Sequence, residues 1–169
     1  YDGLIFMGSE FYSEYDGTMK NNLTSIGVHE VSHQWWFGLV GSDQALEPWL
    51  DEALSLYSER IYYETLYPFP VKWWWRFRVT WFSPSGWVDT SIYDGYAFRG
   101  YTDAVYLRGA QFLEEIRFRI GEKAFNTFLK DYASSYAHKI ATSDDFFDTL
   151  DRNTDVDYSD IVASYFSKP

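Results

Sequence analysis

At 169 residues with a formal charge of −11, the chain is long enough for one domain with a real core and gives no reason to expect two. An acidic balance without a Lys/Arg stripe excludes nucleic-acid backbone binding, and the absence of cysteine excludes disulfides and thiolate metal sites, so any metal must be held by His, Asp or Glu. Aromatic residues at 22% predict broad, stiff packing surfaces, and no run of 18 apolar residues offers a transmembrane segment.

The opening stretch "YDGLIFMGSEFY" (1–12) is short, aromatic and partly alternating, which predicts strand material from a sheet begun upstream. The chain starts on Tyr1 with no basic stretch ahead of an apolar one, and is expected to be cut from a longer parent whose neighbouring domains it lacks. Residues 1–20 are accordingly expected as a strand and loop remnant, and 21–169 as a helical subdomain. From 22 to 37, Leu23, Ile26, Val28, Val31, Trp35 and Trp36 recur at helical spacing, with Thr24 or Ser25 as the cap, before Gly38 and Gly41 mark a loop. Pro48 then opens a second helix in "EPWLDEALSLYSERIYYETLY", running to about Tyr67 with Leu50, Leu54, Tyr57 and Ile61 inward.

Residues 68–102, with Pro68, Pro70, Pro84 and the run "VKWWWRFRVTWF", carry no firm assignment beyond a short helix mixed with loops. "TDAVYLRGAQFLEEIRFRIG" is a helix by its Val105, Phe112, Leu113, Ile116 and Ile120, capped by Thr102 or Asp103 and stopped by Gly121. Further helices are expected over 123–136, from a Ser143 cap to Leu150, and over 159–166. The fold class is α+β, mainly helical.

Two of the three histidines stand four positions apart in "VHEVSHQWW". On a helix, i and i+4 share a face, so His29 and His33 can present imidazoles to one ion. A third ligand is available in Glu52, which follows His33 after eighteen intervening residues on the next helix. His-His-Glu leaves a fourth position of zinc open for water, one zinc ion per chain. Glu30 points about 100° around the helix from His29, beside the ion, where it can act as general base and then pass its proton to the leaving amine. The alternative is that a histidine pair at this spacing is helix decoration; the helical context and the spaced Glu52 favour chemistry.

"HEVSH" with Glu52, and the flanking "HQWWFGLVG" and "EPWLDEALSLYSE", are similar to the zinc signature of the aminopeptidase N-type gluzincin family, whose catalytic domain is thermolysin-like. The resemblance covers at least residues 26–60. It implies a zinc metallopeptidase that removes N-terminal residues from peptides with a free amino terminus, the chain being a single, partial catalytic domain (1–169). "VYLRGAQFL" resembles the family's Tyr-x-Lys-Gly segment, which implies that the Tyr106 hydroxyl steadies the oxyanion, with Arg108 in place of the usual Lys. Glu59, two turns after Glu52, matches a position where the family often has Glu; it is a candidate to orient a ligand imidazole, the other reading being an exposed partner for Arg60 or another base. Asp51 stands where the family usually has Asn, with a structural hydrogen-bonding role.

The family's Gly-x-Met-Glu-Asn motif, which carries the carboxylate that clamps a free amino terminus, is absent, so exopeptidase specificity is implied by resemblance alone. Trp73, Trp74, Trp75 and Trp81 form either a packing surface or a stacking platform for sugars or a lipid interface. Tyr93, Tyr96 and Tyr101 are candidates to line the cleft; His138 is not expected to be a ligand. The rival functions are a catalytically silent scaffold of the same fold, against which the intact base speaks, and a zinc endopeptidase or epoxide hydrolase.

Overall fold

The computed structural model describes residues 3–168. After a short helix α1 (Ser9–Ser13), α2 (Asn22–Ser32) starts where the Asn21 side chain accepts from the Thr24 N–H at 3.0 Å. The cap is thus Asn21, one turn ahead of the expected Thr24 or Ser25. The helix also stops before the expected residue 37, because the chain reverses over Phe37, whose φ is +106°, and Trp36 bridges to Val40. Periodicity ran on through Trp35 and Trp36, but Trp36 is placed by the turn, and its indole N–H bonds Ser58 Oγ at 2.9 Å.

The reversal leads into β1 (Val40–Ser42) and then α3 (Trp49–Leu66), introduced by Pro48 in helical conformation. α4 (Val71–Trp74) runs without a break into a π-helical segment (Trp75–Val79) and a single 3-10 turn (Thr80–Phe82), and irregular chain follows over 83–97, so 68–102 is the expected mixture of helix and loops, with the Trp-rich run as its helical part. α5 (Phe98–Thr102), a second π segment (Asp103–Arg108) and α6 (Gly109–Ile120) also form one rod, which begins four residues ahead of the earliest expected cap and ends at Gly121, φ +86°. α7 (Glu122–Ser135), β2 (Lys139–Ala141), α8 (Ser143–Asn153) and α9 (Ser159–Tyr165) follow. Thr142, not Ser143, caps α8, in a reciprocal box with Asp145.

Among the described residues the sheet is one short parallel pair, β1 with β2, in register Val40↔Lys139 to Ser42↔Ala141. It ties the loop after the histidine helix to the C-terminal half. The strand expected in 1–12 is not there: 4–8 are irregular and 9–13 are helical, while Tyr1 and Asp2 lie outside the described residues. An isolated strand has unpaired N–H and C=O groups, and no described segment pairs with this one. The chain is mainly helical with a small sheet, and no helix among the described residues is long and apolar enough to cross a membrane.

α3 is the axis of the packing. It buries Trp49, Leu54, Leu56, Tyr57 and Tyr63 against neighbours on several sides, with Ile61 only partly covered. Behind its first turn the aromatic content is spent on an edge-to-face cluster in which Trp49–Phe146, Phe128–Phe146 and Phe112–Phe166 centroids are 4.8, 4.9 and 5.0 Å apart. The Trp49 indole N–H finds Ser143 Oγ at 3.0 Å, so α3 and α8 are joined by a bond as well as by area.

Candidate metal centre

α2 brings His29 and His33 to one face, with ring centroids 4.7 Å apart and edge to face; His33 is the C-cap residue, but its φ of −61° and ψ of −13° keep it on the helical path. α3 packs across α2 and offers Glu52 from its first turn. Glu52 Oε2 lies 3.2 Å from His29 Nε2 and 3.6 Å from His33 Nε2, and one donor atom from each of the three residues lies within 4.8 Å of the others. Ligands about 2.0–2.2 Å from a tetrahedral zinc stand about 3.3–3.6 Å apart, so the donor types here fit that ion and the spacing of the carboxylate from each imidazole matches it closely.

Each imidazole is backed by a carboxylate. His33 Nδ1 is 2.5 Å from Asp51 Oδ1 and 3.0 Å from Ser55 Oγ, and fully buried Asp51 also accepts from Gln44 Nε2 at 2.6 Å. His29 Nδ1 lies 3.3 Å from Glu59 Oε1, near in distance but off the hydrogen-bond direction, so that buried nitrogen has no hydrogen-bond partner in this arrangement. Glu59 is fully buried rather than an exposed partner of Arg60. Arg60 pairs instead with Glu64 and Glu114, and Glu59 is gripped by Arg78 and Trp74 from the Trp-rich rod.

The electrostatics follow from burial and these neighbours. Burial alone would lower the His29 pKa, but the carboxylates of Glu52 and Glu59 outweigh it and lift it to about 9. A cation entering the site therefore displaces a proton. Burial would raise Glu52, yet His29 and, after it, the neighbouring Tyr106 hold it below the ordinary Glu value; burial would also raise Glu59, and Arg78 with His29 reverses that. Both carboxylates stay anionic.

The second π segment delivers Tyr106 beside Glu52 and stacked on His29 with centroids 6.0 Å apart and planes at 16°. Burial, then the Glu52 charge, push its phenol far above the usual tyrosine value, so it remains an O–H donor. The close approach depends on Gly109: a Cβ there would sit 2.4 Å from the Ala53 Cβ, next to Glu52, so a side chain would push the rod off α3. Arg108 turns away, donating to Ser164 O at 2.7 Å and lying over the Tyr165 ring at 4.1 Å, and so braces the rod against α9.

Of the remaining candidates, Glu30 is half-buried on α2 one position after His29 and stands outside the group of three. Tyr101 reaches the site, its ring 6.0 Å from Tyr106 and its pKa pushed up to about 12 by burial and then by Glu52 and Asp51. Tyr93 and Tyr96 are 72% and 48% exposed, with no contact drawing them to the metal-ligand group. His138, whose backbone N–H bonds Leu39 O and whose φ is +61°, belongs to the turn before β2. Ser55, Trp74 and Arg78 escaped the sequence reading. Ser55 had a usable signal, being one turn after Asp51 on the same face; Trp74 and Arg78 had none, since their partner is fifteen or more positions away.

The model for the Peptidase family M1 domain matches residues 9–165. Aminopeptidase N of Lactobacillus helveticus is 27% identical over 164 residues, covering 89% of this chain and 19% of that protein. Probable aminopeptidase 2 of Sulfurisphaera tokodaii is 24% identical over 170 residues, covering 88% of this chain and 20% of that one. Among solved structures, the M1 zinc metallopeptidase of Deinococcus radiodurans superposes with a TM-score of 0.64 at 21% identity, over 85% of this chain and 32% of that chain. A mutant of the same enzyme bound to a Tyr-Ser-Ala substrate gives 0.64 at 20% identity, over 86% and 33%. The structural likeness is one of fold. The chain spans about a fifth of the length of the curated relatives it matches.

Proposed function

The chain belongs to peptidase family M1, and from that premise we propose that it is part of the catalytic domain of a zinc aminopeptidase, hydrolysing peptide bonds next to a free N-terminus. The observation that carries the proposal is the convergence of His29, His33 and Glu52 from two helices, each imidazole with a carboxylate at its far nitrogen. The zinc that the family implies would be held by these three and, when bound, would polarise the attacking water and the scissile carbonyl.

The rest of the chemistry falls to the chain's own groups. Glu30 takes the proton from the attacking water and returns it to the leaving amine. The Tyr106 phenol, kept protonated by its surroundings, donates to the oxygen that gains charge as the carbonyl carbon becomes tetrahedral, an interaction worth on the order of 3 kcal/mol in a water-poor site. Asp51 and Glu59 hold the imidazole rings in orientation. Aminopeptidase rather than endopeptidase action is supported by the curated relatives' names.

Elemental analysis tests the centre directly. One zinc per chain is expected in the unaltered protein, with loss in His33→Ala and retention in Glu30→Gln, whose hydrolysis of amino-acid anilides should fall about 10²–10⁴-fold. No transition metal in the unaltered chain would sink the reading; blocked peptides cleaved as fast as anilides would turn it towards an endopeptidase.

A further inference from the structure

We propose that Arg78 and Trp74 are positioning residues of the metal centre, acting through Glu59 to fix which nitrogen of His29 faces the ion. The proposal rests on the zinc reading above and extends it to the Trp-rich rod, a segment with no sequence link to the ligands.

The geometry is specific about acceptor capacity. Glu59 Oε2 accepts from the Trp74 indole N–H at 2.7 Å and from Arg78 Nε at 2.9 Å, while Oε1 accepts from Arg78 Nη2 at 2.6 Å. A carboxylate oxygen offers two lone pairs, so Oε2 is filled and Oε1 has one direction left. His29 Nδ1 lies 3.3 Å from Oε1, outside hydrogen-bond geometry in this arrangement, and is the buried nitrogen left without a partner. Glu59 has no solvent exposure with which to satisfy itself otherwise, and the guanidinium balances its charge. An N–H on His29 Nδ1 aimed at Oε1 leaves the Nε2 lone pair turned toward Glu52 and His33.

One rod presents both groups on the same face. Trp74 closes α4 and Arg78 lies in the π segment that continues it, so the two side chains, four positions apart, arrive at one carboxylate from the same rod. π segments occur often at functional sites, and the rod carrying Tyr106 is wound the same way where it meets the ligands. His33, by contrast, is braced from within α3 itself by Asp51 and Ser55. Both histidines are thus backed by carboxylates of α3, but only the one beside His29 is itself held by the Trp-rich rod.

The test is zinc affinity by chelator competition for the unaltered chain and for Trp74→Phe, Arg78→Lys, Glu59→Gln and the Glu59→Gln/Arg78→Lys double variant, with circular dichroism of each metal-free form. Ring ¹⁵N spectra of the zinc-loaded forms report the His29 tautomer. Trp74→Phe keeps an aromatic side chain but removes the N–H together with part of the indole, so the helical signal of each form guards against simple unfolding. Each single variant is expected to bind zinc about 10–100-fold more weakly while keeping its helical signal, with the double variant no weaker than Glu59→Gln and the His29 ring losing its single tautomer. Unchanged affinity in Trp74→Phe and Arg78→Lys, or losses in the double variant that multiply in full, would overturn the proposal while leaving the zinc site intact. An unaltered chain that takes up no zinc would instead overturn the functional reading on which it rests.

Discussion

α3 and the α7–α8 pair solve the same problem of burial in opposite ways. In α7 and α8 the covered residues are Phe125, Phe128 and Tyr132, then Phe146, Thr149 and Leu150, at helical intervals with charged residues outward. α3 is covered on nearly every side, and Asp51, Ser55 and Glu59 are buried among its Trp, Leu and Tyr residues. A helix with one wet face can leave its polar groups to water; a helix without one must give each a partner inside the protein. In this chain those partners are the imidazoles and the groups that orient them, so the helix least suited to a simple apolar stripe is the one that carries the site.

The comparison can be broken by substitution in the metal-free chain, followed by urea unfolding. Phe146→Ala, which empties the centre of the aromatic cluster, should cost about 3–5 kcal/mol. Glu59→Ala should cost about 3 kcal/mol, because it leaves the guanidinium of Arg78 and the indole N–H of Trp74 facing a hole. If it proves nearly neutral, buried polar residues of α3 are not held by the network described and the contrast fails. Gly109→Ala should cost about 1–2 kcal/mol even after the gain in helix propensity, since its Cβ meets that of Ala53, and it should weaken the approach of Tyr106 to Glu52.

Smaller effects sharpen the other side. Thr142→Ala removes the capping box of α8 and should cost about 1 kcal/mol, read as a shift of the urea midpoint without a change in slope. Asn126→Ala, on the exposed face of α7, should stay within about 0.5 kcal/mol. A loss there as large as at Thr142 would show that α7 is covered by something its burial does not reveal.

Legibility followed the same division. The periodic helices were recovered to within a few residues: Gly121 stops α6 as its sequence implies, and Pro48 opens α3. Misreadings came where a tertiary partner decides. The 1–12 stretch alternates like a strand but has no described neighbour to pair with, and β1 and β2, each three residues long, pair across nearly a hundred positions that no local pattern connects. In 68–102 the expected mixture of helix and loops is present, but the extent of its helical rod was not legible, because the winding departs from the α period.

By itself the sequence pointed to His29, His33 and Glu52 as a group, which the fold brings together, because HExxH on a helix and a Glu on the next one obey a local geometry that folding need only preserve. It also determined the class of fold, through long apolar periods and their stops. Tertiary structure alone decided how the imidazoles are held: that Asp51 rather than Glu59 backs His33, that Glu59 faces His29, and that Arg78 and Trp74 arrive to hold it. Those choices depend on which surfaces meet when helices cross, and crossing is set by shape and buried area summed over the whole molecule, not by the order of residues along one segment.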